Sequence, residues 1–270
     1  MPLHETPVGT VETLEWGDGP EQIILLHAAT SSPHALAGLA ECLARPNRRI
    51  IAPMLNGYGR TKMRVTGNPV EKHLAVAAAL KGLYPGERQI VFGHSMGGLV
   101  ALLSSLGDDP PDALVLFEPI VIGVLDPNDK ADREARDWDR ALVRKLAAAV
   151  AAGEPETSVA AFVEGWNEVA WNAIPAAART RLVEAAPFLA TETDAVGEQQ
   201  IDMDALVGLA APVLLLQGTA SPDLPNRAIQ RLRRQLPRAQ CASLDGLGHM
   251  APVMMHAIVA AAVGTFLSQA

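Results

Sequence analysis

The chain has 270 residues, of which 49% are hydrophobic and 19% are charged. This composition is typical of a globular protein with a large core, and it excludes a disordered chain or a fibrous repeat. The formal net charge of −8 would repel a polyphosphate, so we expect no nucleic-acid partner. Segment 126–204 carries 16 acidic and 8 basic residues and therefore accounts for the whole imbalance.

The start of the chain and its cysteines bear on location and metal binding. The first ten residues lack the basic start and apolar run of a secretory signal, and Pro252 interrupts the most apolar stretch, 250–267. We therefore expect a cytoplasmic protein that does not enter a membrane. Cys42 and Cys241 lie far apart and no Cys/His cluster has metal-ligand spacing, so we expect buried free thiols and no metal.

Short strand-like runs alternate with helical patterns along the chain. The first two runs flank the turn sequence 17–20, which predicts an antiparallel hairpin. Later runs are apolar on both faces, as in strands buried between two helix layers, so a mostly parallel α/β sheet is predicted. The predicted strands are 10–16, 22–27, 49–53, 89–92, 113–117, 212–216 and 241–244, and the predicted helices between them are 33–44, 70–83, 96–106, 225–236 and 250–266.

About ninety residues between the strand that ends at Glu118 and the one that starts near Pro212 show no strand pattern, too many for a simple loop. They predict a helical insertion with helices at 130–152, 158–169, 175–185 and 187–194. In the first of these, the spacing of Asp129 to Arg133 and of Asp132 to Arg136 predicts ion pairs on the solvent face.

Residues 90–100, IVFGHSMGGLV, form the most informative stretch, because a strand runs into Gly-x-Ser-x-Gly and then directly into a helix. A serine on such a sharp turn has strained backbone geometry, and Gly93 and Gly97 lack side chains so that neighbouring backbones can approach. Ser95 is therefore the predicted nucleophile. On this motif the chain resembles the α/β-hydrolase family, and the resemblance runs from the first predicted hairpin to the C-terminal helix.

The resemblance implies the overall architecture. It implies a mostly parallel, eight-stranded twisted sheet flanked by helices. The core would comprise 1–125 and 205–270, and 126–204 would form a helical cap, or lid, inserted in that core.

Segment 23–31, IILLHAATS, resembles the family's strand followed by His-Gly-x. The resemblance implies that the backbone N–H groups of Ala29 and Met96 form the oxyanion hole. Ala28 stands where the family usually has glycine, so a positive φ at this position would strain the loop. His27 is interpreted as a brace of this loop rather than a catalyst.

Segment 244–252, LDGLGHMAP, is similar to the family's Gly-His segment and respects the chain order Ser, acid, His. The resemblance implies that His249 takes the proton of Ser95 and returns it to the leaving group. His94 precedes Ser95 in the strand-to-helix turn 93–97, the nucleophile elbow, and is interpreted as a packed residue. His256, in the helix that follows His249, is interpreted as a packed or surface residue.

Two carboxylates compete for the third member of the triad, the group that orients and stabilises the histidine. Most of the family places this acid three residues after the glycine that ends the penultimate strand, but that residue is Ser221 here, and Asp223 lies two positions further. Members that resemble haloalkane dehalogenases place it directly after the strand that follows the nucleophile helix, which is Glu118. A carboxylate at an apolar strand end needs a partner, so Glu118 is preferred and Asp223 stays the alternative.

Substrate contacts are predicted in the cap and at the rim of the cleft. Trp166 and Trp171 lie in a segment that resembles the family's cap helices, and Met54 and Leu55 lie in a segment that is similar to its cleft-bordering loop. Met250, next to the predicted base, completes this set. An apolar cleft beneath an acidic cap disfavours anionic substrates.

The resemblance implies a serine hydrolase that cleaves neutral carboxylic esters of small to medium size through an acyl-enzyme, without a metal or organic cofactor. C–C bond hydrolysis, lactone opening and cofactor-free perhydrolysis use the same constellation and stay open, as does a non-catalytic ligand receptor. Dehalogenase and epoxide hydrolase chemistry is disfavoured because relatives with those activities have aspartate at position 95.

Overall fold

A computed structural model of the protein describes residues 1–107, 109–167 and 169–269. Its sheet contains β1 (Leu3–Thr6), β2 (Gly9–Trp16), β3 (Glu21–Leu26), β4 (Arg48–Pro53), β5 (Lys62–Met63), β6 (Arg88–His94), β7 (Ala113–Phe117), β8 (Val213–Gly218) and β9 (Gln240–Leu244). The strand order is β1-β2-β4-β3-β6-β7-β8-β9, and the short β5 pairs with β2. Strands β3, β4 and β6 to β9 run parallel. The predicted eight-stranded, mostly parallel sheet is confirmed, with β5 as an addition.

The predicted hairpin between the second and third strands is wrong. Strand β4 lies between β2 and β3, antiparallel to the first and parallel to the second. The connection instead passes close to the start of β4, where a Cβ on Gly19 would lie 2.0 Å from the carbonyl carbon of Asn47. Glycine is therefore required here for a close backbone approach and not for a hairpin turn. The actual antiparallel hairpin is β1-β2.

Each predicted helix is present to within a few residues, and the short helix Met203–Val207 has no counterpart among the predictions. The helices are α1 (Ala37–Leu43), α2 (Pro69–Leu83), α3 (Met96–Ser104), α4 (Lys130–Ala152), α5 (Glu156–Asn167), α6 (Ala176–Glu184), α7 (Ala186–Glu198), α8 (Met203–Val207), α9 (Asp223–Gln235), α10 (Ala251–Met254) and α11 (His256–Leu267). The predicted helix 250–266 is divided at Met255, and Glu168, inside the predicted helix 158–169, lies outside the described residues.

The sheet has one apolar core on each face. In β3, Ile24 and Leu26 pack on the side of α2 and α3, whereas Ile23 and Leu25 pack on the side of α1 and α11. Burying one such side chain contributes about 1.5 to 3 kcal/mol. These two cores hold the carboxyl ends of the parallel strands in place, and those ends carry the candidate site.

The insertion between β7 and β8 is helical, and no strand occurs in its described part. The ion pairs predicted on the solvent face of α4 are wrong, because Asp132 is only 1% exposed and the first turn of α4 packs against α9. The carboxylate of Asp132 accepts hydrogen bonds from Nε of Arg227 at 2.6 Å and from Nε of Arg231 at 2.5 Å. Asp129 caps α4 and pairs with the same two arginines. The boundaries proposed for a cap at 126–204 stay a prediction.

Among the described helices, none is both long and apolar enough to cross a bilayer. Both cysteines are free, but Cys42 is half-buried and Cys241 is exposed, so the expectation of buried thiols is wrong.

Candidate active site

Ser95 lies between β6 and α3 in a backbone conformation with φ 58° and ψ −120°. Its N–H donates to the carbonyl of Phe117 at 3.0 Å, and its own carbonyl accepts from the N–H of Ile120 at 3.2 Å. A Cβ on Gly93 would lie 2.4 Å from the carbonyl oxygen of Gly97, and one on Gly97 would lie 2.3 Å from that of Leu26. The turn therefore depends on both glycines, as the motif predicts, and it holds Ser95 in a strained position.

His249 lies on the loop that follows β9, and its Nε2 is 2.9 Å from Ser95 Oγ. His94 supports this loop, because its Nε2–H donates to the carbonyl of His249 at 2.8 Å. Burial, with a smaller contribution from the neighbouring His249, holds the pKa of His94 well below its ordinary value, so His94 is a neutral donor. The Trp166 ring covers His249, with ring centroids 5.0 Å apart.

Glu118 directly follows β7 and is fully buried, with φ 45°. Its Oε2 accepts from Nδ1–H of His249 at 2.6 Å, and its Oε1 accepts from the N–H of Gly218 at 2.6 Å. Because each carboxylate oxygen has a donor, the charge stays stabilised without solvent. The imidazole is thereby held with its Nε2 lone pair towards Ser95.

The other candidate acid, Asp223, is not close to the histidine. It is exposed and forms the first residue of α9, where the helix dipole favours a negative charge. The structure therefore brings Glu118, and not Asp223, to His249.

Two residues were predicted to form an oxyanion hole: Ala29, on the loop after β3, and Met96, the first residue of α3. Ala29 and Met96 both line the cavity at Ser95, and in the described part of the chain no acceptor pairs with either backbone N–H. The residue with positive φ is Thr30 (59°) and not Ala28, so alanine at position 28 causes no strain of that kind. The N–H of Thr30 donates to the hydroxyl of Tyr58 at 3.1 Å, which ties down the end of the loop.

His27 is a brace between two loops, as interpreted from the sequence. Its Nδ1–H donates to the carbonyl of Ala28 at 2.8 Å, and its Nε2 accepts from the N–H of Leu55 at 3.1 Å. Complete burial lowers the pKa of His27 to about 4, so the ring is neutral and supplies one donor and one acceptor.

A small, mostly apolar cavity of about 40 Å³ adjoins Ser95. One side is formed by the elbow and the loop after β3, and the other by α4, α5 and α7. Its lining residues are Ala28, Ala29, Thr30, Ser95, Met96, Ile120, Asp139, Phe162, Trp166, Thr193, Val196 and His249. Within the described residues, no group of three or more His, Cys, Asp or Glu side chains could hold a metal ion.

Of the predicted substrate contacts, only Trp166 lines this cavity. Leu55 is fully buried in the hydrophobic core, and Met54 precedes it on the same loop. Trp171 is half-buried in a short 3-10 turn, and Met250 is the N-cap of α10. The structure does not bring these four residues to Ser95.

Several cavity residues were not predicted, and Asp139 is the most unusual of them. The sequence carries a weak signal for Asp139. Helix α4 is amphipathic, and Asp139 lies four residues after Ala135 and four before Val143, on the buried face of the helix. A carboxylate on an apolar stripe is a candidate functional residue. Ile120, Phe162, Thr193 and Val196 carry no comparable signal, since apolar and small residues on helices usually serve packing alone.

Comparisons with known proteins agree with this architecture. The sequence model described as "Alpha/beta hydrolase family" matches residues 23–262. An esterase from Exiguobacterium antarcticum is 14% identical, with 96% of each chain covered and a TM-score of 0.76, and a bromoperoxidase from Bacillus anthracis gives the same values. An esterase from Thermogutta terrifontis, solved with malate bound, is 21% identical, with 97% of this chain and 94% of that chain covered and a TM-score of 0.74. No curated protein matches the chain.

Proposed function

The chain belongs to the alpha/beta hydrolase family, and we propose that it hydrolyses carboxylic esters with Ser95 as the nucleophile. One observation carries this proposal: an unbroken hydrogen-bond chain runs from Glu118 through His249 to Ser95 Oγ and ends at a cavity. The base is thus within hydrogen-bond distance of the nucleophile on one side and of the carboxylate that orients it on the other, which is the geometric requirement of serine hydrolase chemistry.

The acylation step follows from these positions. Ser95 Oγ attacks the ester carbonyl carbon while Nε2 of His249 takes the hydroxyl proton, and Glu118 stabilises the resulting imidazolium. The carbonyl oxygen becomes an oxyanion, which the N–H groups of Ala29 and Met96 bind; each such donor commonly lowers the barrier by about 3 to 4 kcal/mol. The intermediate collapses, the imidazolium gives its proton to the departing alkoxide, and an acyl-Ser95 ester and a free alcohol result.

Deacylation repeats the sequence with water. His249 takes a proton from the water as its oxygen attacks the acyl carbon, and then returns that proton to Ser95 Oγ as the acid leaves. The net reaction is ester plus water to acid plus alcohol, and it needs no metal or organic cofactor.

The cavity supports a neutral substrate of small to medium size. Phe162, Val196 and Ile120 give it an apolar wall, and the volume of about 40 Å³ favours a short acyl group. Trp166 covers His249 and limits the access of bulk water. C–C hydrolysis, lactone opening and perhydrolysis would use the same residues, so a lactone and a β-diketone belong among the test substrates.

The test is turnover of p-nitrophenyl esters of increasing acyl length by the parent protein and by Ser95→Ala. Ser105→Ala is the matched control, because Ser105 is a buried serine at the far end of α3 whose hydroxyl bonds the carbonyl of Ala101. We expect short-chain turnover that Ser95→Ala lowers by at least about a thousandfold and Ser105→Ala leaves within a few-fold. Turnover no greater than that of Ser95→Ala for every ester would refute esterase activity.

A further inference from the structure

Asp139 places a carboxyl group in the wall of the cavity that contains Ser95 and His249. The residue is 5% exposed, and in the part of the chain that the structure describes no hydrogen bond or ion pair involves its side chain. Asp132, two turns earlier on α4, is equally buried but pairs with two arginines. The lack of a partner is therefore particular to Asp139 and not a general property of acidic residues on this helix.

Asp139 and Thr193 also line a second cleft, between α4 and α7, so the two residues separate that cleft from the cavity at Ser95. The hydroxyl of Thr193 is already used, because it donates to the carbonyl of Leu189 at 2.8 Å. Arg140 and Arg144 line the second cleft but do not pair with Asp139. Asp139 is thus an ionisable group in this wall whose hydrogen-bonding capacity is unused.

An unpartnered buried carboxyl is costly, since burial removes its hydration without a compensating hydrogen bond. Burial raises the pKa of Asp139 to about 7, and the nearby charge of Arg140 counteracts this only in part. Ala135 and Val143 occupy the neighbouring positions of the same stripe, so an apolar side chain would fit the helix at lower cost. A ligand that donates a hydrogen bond to Asp139 would explain why a carboxyl group occupies this position.

We propose that Asp139 is a specificity-determining residue that accepts a hydrogen bond from a donor group of the substrate, an ammonium or a hydroxyl, held in the cavity beside Ser95. This inference rests on the proposed ester hydrolysis and extends its substrate range, because an ester with an ammonium group is a cation and not one of the neutral esters proposed above. The preferred substrates are esters that carry such a donor a few bonds from the scissile carbonyl. The apolar remainder of the wall packs against the hydrocarbon part of the molecule.

The test compares esters that differ only in this donor. Dimethylaminoethyl butyrate is paired with isoamyl butyrate, in which CH replaces the nitrogen, and methyl dimethylaminobutyrate is paired with its own CH isostere. A third pair, hydroxypropyl butyrate with a terminal hydroxyl and butyl butyrate, tests the hydroxyl. The first two pairs distinguish an alcohol-side from an acyl-side ammonium, and the third distinguishes the hydroxyl from the ammonium.

Asp139→Asn removes the carboxylate at constant size, and Asp137→Asn, at an exposed position of the same helix, is the matched control. In at least one pair, we expect the parent to show a kcat/KM about tenfold higher for the donor ester. Asp139→Asn should abolish a preference for an ammonium, and it should weaken a preference for the hydroxyl, because the amide oxygen can still accept from a hydroxyl. It should change kcat/KM of the apolar isostere less than about threefold, which also reports that the variant is folded. Asp137→Asn should keep the preference.

The proposal is overturned if no pair shows a preference, if the preference is as large in Asp139→Asn as in the parent, or if Asp137→Asn lowers it equally. Binding of the same pairs to Ser95→Ala, measured by calorimetry, separates this inference from the proposed function. If no ester is turned over but the donor esters still bind more tightly in an Asp139-dependent way, ester hydrolysis fails and the role of Asp139 stands. If esters are turned over without preference, the role of Asp139 fails and ester hydrolysis stands.

Discussion

Glu118 Oε2 lies 2.6 Å from Nδ1 of His249, although the two residues are 131 positions apart in the sequence. Glu118→Gln keeps the shape and an oxygen for the N–H of Gly218, but it places an uncharged amide against the imidazole. The amide cannot stabilise the imidazolium and favours the wrong tautomer, so we expect kcat for an ester to fall by about 10² to 10⁴.

Asp223→Asn is the control for this prediction, because Asp223 is exposed and lies at the start of α9. Steady-state kinetics of both variants with one short-chain ester provide the measurement. Near-parental activity in Glu118→Gln together with a large loss in Asp223→Asn would reverse the assignment of the acid.

Tyr58 connects the loop that carries Ala29 to the helical insertion. Its hydroxyl accepts from the N–H of Thr30 and donates to Oε2 of Glu192 at 2.7 Å, and Oε1 of the same buried carboxylate is 2.8 Å from Nε2 of His73. Tyr58→Phe removes both bonds, leaving buried groups unpaired, and should cost about 1 to 3 kcal/mol of stability. Because the loop that carries Ala29 loses its tether, we also expect kcat to fall about tenfold with a smaller change in KM.

Tyr84→Phe is the matched control, since the hydroxyl of Tyr84 is also hydrogen-bonded, to Glu15 among others, but does not line the cavity at Ser95. Thermal melting and ester kinetics of the two variants separate stability from positioning. A fall in kcat of the same size in both would mean that Tyr58 acts only through general stability.

The side chain of Asp139 predicts a pH-dependent stability. Burial raises its pKa in the folded protein from 3.8 to about 7. Between these values the unfolded chain has released a proton that the folded protein keeps. The free energy of unfolding therefore falls by about 1.4 kcal/mol per pH unit as the pH rises, and the loss is complete above pH 7.

In Asp139→Asn the side chain at position 139 has no titratable proton, so the free energy of unfolding does not fall with pH for this reason. We expect the variant's gain in stability over the parent, measured by urea unfolding, to be larger at pH 8 than at pH 5, by about 2 to 3 kcal/mol at most. Arg140 reduces the effect, because its positive charge favours the carboxylate. An equal gain at both pH values would show that Asp139 is not a buried, proton-retaining acid, and Asp137→Asn should show no gain at either.

Substitution of Gly97 tests whether the turn that carries Ser95 requires a residue without a side chain. A Cβ at this position would lie 2.3 Å from the carbonyl oxygen of Leu26 and 2.5 Å from that of His27, so Gly97→Ala must separate α3 from β3. We expect a loss of several kcal/mol in the free energy of unfolding, or no soluble protein. Gly82→Ala is the control, because a Cβ on Gly82 in α2 would have no atom within 4 Å and should leave stability unchanged or raise it by up to about 1 kcal/mol. Equal melting temperatures for the two variants would contradict the account.

The sequence predicted those parts of the site that depend on local backbone requirements. Ser95 is recognisable because a sharp strand-to-helix turn needs small residues on both sides, and Glu118 because a charge at an apolar strand end needs a partner. The parallel strands were predicted from their two apolar faces, since burial between helix layers leaves that pattern in a single segment.

The errors involve partners that are distant in the sequence. The spacing of four residues predicts a pair between Asp132 and Arg136 on the same helix, but Asp132 pairs with Arg227, 95 positions away, because α4 packs on α9. The hairpin at 17–20 was inferred from a good turn sequence, yet β4 inserts between the two strands. In the sequence, Asp139 is visible only as a charged residue on the largely apolar face of α4. Its position in the cavity depends on how α4 packs against the rest of the molecule, which a single segment does not reveal.

The central claim, that Ser95 is the nucleophile of a hydrolase, is tested most directly by covalent labelling. The protein is treated with a fluorophosphonate, which reacts with activated serines, and the modified peptide is located by mass spectrometry. We predict one stoichiometric adduct on Ser95, absent in Ser95→Ala, strongly slowed in His249→Ala and retained in Ser105→Ala. No adduct on Ser95, or equal labelling of the His249→Ala variant, would contradict the account.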